Sequence, residues 1–181
     1  MAASLVLALI GPNTTGIVHR VAQIAAAHEA NWVGARMANL AGQFAGIVHF
    51  ELPEVNTERL MNAFAELERT GMRLLITKAD PSASEAMVSP PKDVLRLEVV
   101  GNDHPGIVRD ISGALASVGV SIENLVTGCM SGPHSGDALF RASAALQVPR
   151  GVAIPELRAA LEAVAQDLMV DLTLEADSLI R

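Results

Sequence analysis

Apolar residues recur along the chain in two rhythms, and the rhythms change in the same order twice. Ser4–Ile10 is a near-continuous apolar run, the pattern of a central strand. Ile17, Val21, Ile24 and Ala25 follow at helical spacing, behind Thr14 and Thr15, whose hydroxyls are expected to cap the helix start. Asn31–Ala38 and Phe44–Leu52 read as strands joined near Ala41-Gly42. Asn56 and Thr57 are expected to cap a second helix with the stripe Leu60, Phe64 and Leu67, which Gly71 ends in a left-handed conformation. Met72, Leu74 and Ile76 then alternate with Arg73, Leu75 and Thr77, a strand with one solvated face.

The second half repeats the plan at an offset of 90 residues, where Leu5 matches Leu95, Leu7 matches Leu97, and Gly16-Ile17-Val18 match Gly106-Ile107-Val108. Leu95, Leu97 and Val99 alternate with Arg96 and Glu98, and Ile107, Ile111, Ala114, Leu115 and Val118 share one helical face. Ser121–Thr127 is a strand, and Phe140, Ala142, Ala144, Leu146 and Val148 alternate along another. Pro155 suits the first turn of a helix with the stripe Leu157, Leu161, Val164 and Leu168. Val170, Leu172 and Leu174 then alternate with polar residues. The loop SGPHSGD, 131–137, is longer than its counterpart in the first half and exposed enough to suit partner contact or a plain hairpin. Each half therefore predicts a βαββαβ unit of the ferredoxin-like, α+β class. Right-handed crossovers give an antiparallel sheet of strand order 4-1-3-2 with both helices on one face. Strand two is then an edge, and two such units can join edges or faces. The expected boundaries are 1–80 for the first domain, 81–92 for a linker, PSASEAMVSPPK, and 93–181 for the second domain.

Composition narrows the class. The chain has 181 residues, half of them hydrophobic, and with four Phe, one Trp and no Tyr its core must be aliphatic. Its net charge of −7 divides into −2 for residues 1–90 and −5 for residues 91–181, which disfavours gripping a phosphate backbone. One Cys excludes an intramolecular disulfide framework and fits a reducing cytoplasm. The start MAASLVLALIGP has no basic segment and reads as a strand running into a turn rather than a signal peptide. No apolar run is long enough to span a bilayer, so no membrane partner is expected.

The chemistry concentrates at the turn after the first strand of each half, GPNTTGIV at 11–18 and GNDHPGIV at 101–108. Such a turn aims free backbone N–H groups and the positive end of a helix outward, and a glycine lets a ligand approach closely. It can hold a carboxylate or phosphate, with Asn13 or Asp103 addressing an ammonium group. On the turn alone a plain capped turn is the commoner case. The five histidines, at 19, 28, 49, 104 and 134, lack metal-ligand spacing, and no cofactor is implied; His104 alone sits in a turn, facing ligand or solvent. Cys129 lies near no motif that marks a nucleophile. Acylphosphatase-like catalysis would need an arginine in the first turn, where there is none; Arg20 and Arg109 come after the helix has begun.

The repeat resembles two ACT domains, regulatory modules that bind amino acids. GNDHPGIV carries the family's Pro-Gly followed by two aliphatics, whereas Thr15 stands in the proline position of the first copy. Serine-sensing members hold one Asn two residues before that proline and another opening strand two. Asn13 and Asn31 fall there in the first copy, Asp103 and Ser121 in the second, with Asn124 a further candidate on that strand. The order of elements over nearly the whole chain, with the long loop leading into DALFRASAALQVP at 137–149, is similar to the glycine cleavage system transcriptional repressor family. The resemblance implies a non-enzymatic, cytoplasmic, amino-acid-sensing regulator that takes glycine or serine and contacts a transcriptional activator protein rather than nucleic acid. It implies ligand contacts at Asn13, Thr14, Thr15, Gly16, Ile17 and Asn31 in the first copy. In the second they are Asn102, Asp103, His104, Pro105, Gly106, Ile107, Ser121 and Asn124. Assembly into a homo-oligomer and action as an adaptor without ligand both stay open.

Overall fold

A computed structural model describes residues 2–79, 93–131 and 138–176. The chain divides into two units, Met1–Val88 and Ser89–Arg181. In the first, strand β1 (Ala2–Pro12) leads to helix α1 (Ile17–Ala27), strands β2 (Asn31–Leu40) and β3 (Gln43–Pro53), helix α2 (Thr57–Ala65), a 3-10 turn (Glu66–Thr70) and strand β4 (Arg73–Lys78). The second runs β5 (Asp93–Asn102), α3 (Ile107–Ser117), β6 (Ser121–Ser131), β7 (Ala138–Val148), α4 (Ile154–Leu168) and β8 (Val170–Ala176). The sheets are ordered β2-β3-β1-β4 and β6-β7-β5-β8, antiparallel throughout. This is the expected ferredoxin-like 4-1-3-2 order in both units. The expected linker, 81–92, and residues 132–137 of the long loop lie outside the described residues.

Strand alternation sets each core. Leu5, Leu7 and Leu9 turn one face of β1 toward the helices, where they meet Val48, Phe50 and Leu52 of β3 and Val21, Leu60 and Phe64 of the helices. Phe50 anchors this layer, packing edge-on against Trp32 at 5.4 Å and tilted against Phe64 at 5.5 Å. The second core is aliphatic apart from Phe140. Leu97, Val99, Ile107, Leu115, Leu146, Leu157 and Leu161 fill it, and no Trp is present.

Several local expectations are corrected. Thr14 and Thr15 do not cap α1: the N-cap is Gly16, and no side-chain oxygen bonds the helix start. Asn56 occupies the N-cap of α2, but its amide reaches back to α1 instead, donating to the His28 carbonyl at 3.2 Å and the Glu29 carboxylate at 3.1 Å. Thr57 turns inward, and its buried hydroxyl has no partner. Met72 is buried but precedes β4, and β6 runs on past Thr127 because its ladder with β7 continues through Cys129–Phe140 to Ser131–Ala138. Cross-strand pairing, absent from local pattern, decides such ends. Gly71 does end the 3-10 turn in the left-handed region, at φ 85°.

Candidate functional site

The first corner is open and has no acid in the helix turn that follows it. β1 ends at Pro12, and the chain turns through Asn13, Thr14, Thr15 and Gly16, all exposed, into α1. Gly16 has φ 88°, a conformation that strains any residue with a Cβ. The Asn13 N–H donates to the Gly42 carbonyl at 3.1 Å, which fixes the corner against the β2–β3 hairpin tip. A Cβ built on Gly16 meets nothing within 4 Å. The first turn of α1 contains no acid, and Arg20 stands at its end. The Ile17 N–H donates to the Thr14 carbonyl at 3.4 Å, and the N–H groups of Val18 and His19, which a helix cannot satisfy internally, have no acid of the first turn set against them.

The second corner has the same backbone and the opposite furnishing. Asn102 ends β5, the Asp103 N–H donates to the Ala138 carbonyl at 2.8 Å, and Gly106 enters α3 at φ 108°. At the position of Arg20 stands Asp110, held by Arg109 through bonds of 2.6 and 3.0 Å. That pair crowds the glycine: a Cβ on Gly106 would lie 3.2 Å from the Arg109 guanidinium and 3.5 Å from the Asp110 carboxylate. The hydrogen bond from Arg109 holds the Asp110 carboxyl below its ordinary range. An ion pair without net charge already fills the space at this helix start, so an incoming carboxylate would have to displace it.

His104 is a latch rather than an open ligand donor. Its Nε2 lies 3.1 Å from the Leu168 carbonyl at the end of α4, and its Nδ1 lies 3.2 Å from the Pro105 carbonyl. Both partners only accept, so both bonds form only when the ring is the doubly protonated imidazolium. The Leu168 bond chiefly, then the Pro105 bond, raises its pKa, with Asp103 and Asp110 adding to the effect. A cation at a helix C-terminus is also favoured by the dipole. Cys129, on β6, is exposed, and its thiol pKa is raised by desolvation first and then by the Asp103 carboxylate. Beside this corner, an apolar cleft of about 360 Å³, open mouth included, lies between α3 and the sheet. Leu97, Val99, Ile107, Ile111, Phe140 and Ala142 line much of it, and Ser112 is the one polar side chain in its wall.

Three sequence-derived candidates lie elsewhere in their units. Asn31 pairs with Glu51, which faces Ser4, whereas Asn13 follows Pro12, which faces Gln43. Eight residues of strand separate the two rows, about 26 Å, and Asn13 lies one residue further on. Ser121 and Asn124 likewise pair with Gln147 and Ala145, at the end of the second sheet away from Asp103. β2 runs parallel to β1, so its first residue lies beside the start of β1 and not beside its end. Conversely, Asp110 and Leu168 help shape the second corner and were not expected there. The exchange of Arg20 for Asp110 was visible at the 90-residue offset; the reach of His104 to Leu168 was not. Among the described residues no group of three or more His, Cys, Asp or Glu side chains could hold a metal ion, and no helix is long and apolar enough to cross a membrane.

Two ferredoxin-like modules stand in tandem, each with a glycine corner at a helix start. Residues 3–76 match the ACT domain family model, so the first unit is an ACT domain, and the second repeats its fold. The chain is similar over 97% of its length to an unknown protein from Galdieria sulphuraria, at 29% identity, a TM-score of 0.81 and 99% coverage of that chain. It also shares the fold of a candidate glycine cleavage system transcriptional repressor, at 16% identity, a TM-score of 0.70 and 97% coverage of both chains. No curated protein sequence matches it.

Proposed function

We propose that the chain is a non-enzymatic, cytoplasmic regulator that senses a small amino acid at the first corner alone. The observation that carries this is the contrast at the two helix starts: Gly16 opens onto free space with Arg20 nearby, whereas Gly106 lies under the Arg109–Asp110 pair. A ligand carboxylate would accept from the N–H groups of Val18 and His19 at the start of α1, and the Asn13 amide oxygen would accept from its ammonium group. Thr14 and Thr15, exposed and not used as caps, are free to reach a hydroxyl, which admits serine as well as glycine. Glycine has about five heavy atoms, and a ceiling near −1.5 kcal/mol per atom limits its Kd to no tighter than a few micromolar. The second unit, with its latch and apolar cleft, is left to carry the output. The fold shared with a candidate glycine cleavage system transcriptional repressor supports a role in transcriptional regulation, and the partner we propose is a transcriptional activator protein.

Titration calorimetry against the common amino acids tests the reading. Glycine or serine should bind selectively, and Asn13→Ala should weaken that binding by at least tenfold while thermal unfolding stays unchanged. Binding that Asn31→Ala abolishes and Asn13→Ala leaves intact would move the site away from the corner. Absence of binding for every amino acid, with capture of a transcription factor by the ligand-free chain, would favour an adaptor that senses nothing.

A further inference from the structure

One unit fills a space that the other leaves open. In the first unit Trp32, Ala35 and Met37 of β2 pack against the core. Ile122, Leu125 and Thr127 of β6 hold the matching positions in the second. Ile122 pairs with Leu146 as Trp32 pairs with Phe50, Leu125 with Ala144 as Ala35 with Val48, and Thr127 with Ala142 as Met37 with Gly46. All three β6 residues are exposed, Ile122 at 37% and Leu125 at 43%. Met37 lies directly over its row: its Cγ is 2.7 Å from where a Cβ on Gly46 would stand. Thr127, shorter and polar, replaces it, while Val99 replaces Leu9 and Ala144 replaces Val48 in the same two rows. Leu115 and Leu125 are larger than their counterparts Ala25 and Ala35, yet they do not close the gap, because both line it. That gap is the cleft between α3 and the sheet, with Ile122, Ala142 and Ala144 also in its wall.

We propose that this cleft binds a small uncharged molecule made of a short apolar chain and a single hydroxyl, the class of the aliphatic alcohols. The first unit shows what body the space takes. There the unbranched Met37 side chain covers the matching row, so a free chain of similar length completes the second core as Met37 completes the first. The wall decides the charge. Its side chains are apolar except Ser112, and Ser112 already donates its hydrogen to the Arg109 carbonyl at 3.1 Å. Its oxygen is left to accept, so it can receive a ligand O–H and has nothing to give a carboxylate. A charged head of either sign would lose water against apolar side chains without a counter-ion. Zwitterions of the kind proposed for the Gly16 corner are therefore excluded from this one. Binding removes from water the apolar surface of Ile122 and Leu125 that the fold leaves exposed. At about 360 Å³, mouth included, the cleft lies at the small end of ligand sites, which suits a molecule of few atoms.

Methyl-selective NMR on the full chain tests this, with 1-pentanol titrated to about 10 mM because so few atoms bind weakly. Pentanol should shift the methyls of Leu97, Ile107, Ile111 and Leu125 saturably and leave those of Leu5, Leu9 and Val21 in the first core in place. Pentanoate and pentylammonium should bind at least tenfold more weakly. The double variant Thr127→Met, Ala142→Gly rebuilds the first unit's row, and Ala144→Val restores the bulk of Val48. Each should weaken pentanol binding at least tenfold, with the unfolding midpoint reporting that the fold is kept. Should both variants lose the fold, the parent's selectivity among the three probes still decides. No saturable shift in the second unit, equal shifts in both cores, equal binding of all three probes, or binding that survives both folded variants would overturn the proposal. The cleft shares no residue with the Gly16 corner, so the result stands independently of whether glycine binds.

Discussion

At the scale of single residues, close approach and charge placement do most of the work. Gly11 and Gly101 occupy matching positions near the ends of β1 and β5. A Cβ on Gly101 would lie 3.0 Å from the Val170 Cα and 2.5 Å from its Cγ1, and one on Gly11 would lie 3.0 Å from the Gly71 carbonyl and the Met72 Cα. Backbone cannot swing aside as a side-chain tip can, so Gly101→Ala should destabilise the chain by about 1–3 kcal/mol in urea unfolding. His104 makes a pH prediction with a definite sign. Its folded pKa is raised by the Leu168 and Pro105 carbonyls, so the native chain holds the proton more tightly than the unfolded chain. The stabilisation is complete below the unfolded value, near 6.5, and fades as pH rises through the folded one. The unfolding midpoint of the parent should therefore exceed that of His104→Leu most clearly at acidic pH, and the gap should narrow above neutrality. A gap that widens with pH would contradict the latch.

At the scale of elements, the helices are held by contacts that local capping rules do not anticipate. Asn56 sits at the N-cap of α2 yet spends its amide on the end of α1, so it ties two helices together. Asn56→Ala should cost about 0.5–1.5 kcal/mol, the usual worth of such a bond, and a double-mutant cycle with Glu29→Ala should show coupling. Thr57 is the converse case. Its hydroxyl is buried without a partner, so Thr57→Val, which keeps the shape and removes the polar atom, should be neutral or stabilising by up to about 1 kcal/mol. The hairpins show the same reach beyond local pattern. The tip of β2–β3 and the start of β7 each accept a hydrogen bond from the corner of their own unit, through Gly42 and Ala138. A change in hairpin length is thereby felt where a ligand would bind.

At the scale of the whole molecule, the two units share a fold and differ in surface. One glycine per chain, rather than two, is the expected stoichiometry in calorimetry, because only the first corner offers an uncrowded helix start. Two equal sites would show that the Arg109–Asp110 pair yields to ligand. Much of this was legible in the sequence, because alternation of period two and stripes of period 3.6 report burial directly, and the 90-residue repeat shows them twice. The strand order followed from the handedness of crossovers, and both corners were found from their glycines. The departures at Asn56, Thr57 and His104 have one cause. A side chain that can bond a neighbour in sequence or a group 28 or 64 residues away chooses by geometry that no local pattern contains. Asn31 illustrates it for the site itself. Its place at the opening of β2 was read from the chain, but only the antiparallel register put it some 30 Å from Asn13. Sequence determined which residues face a core and where the chain turns, since those depend on near neighbours. Tertiary structure decided which corner stays open, since that depends on what packing brings beside it.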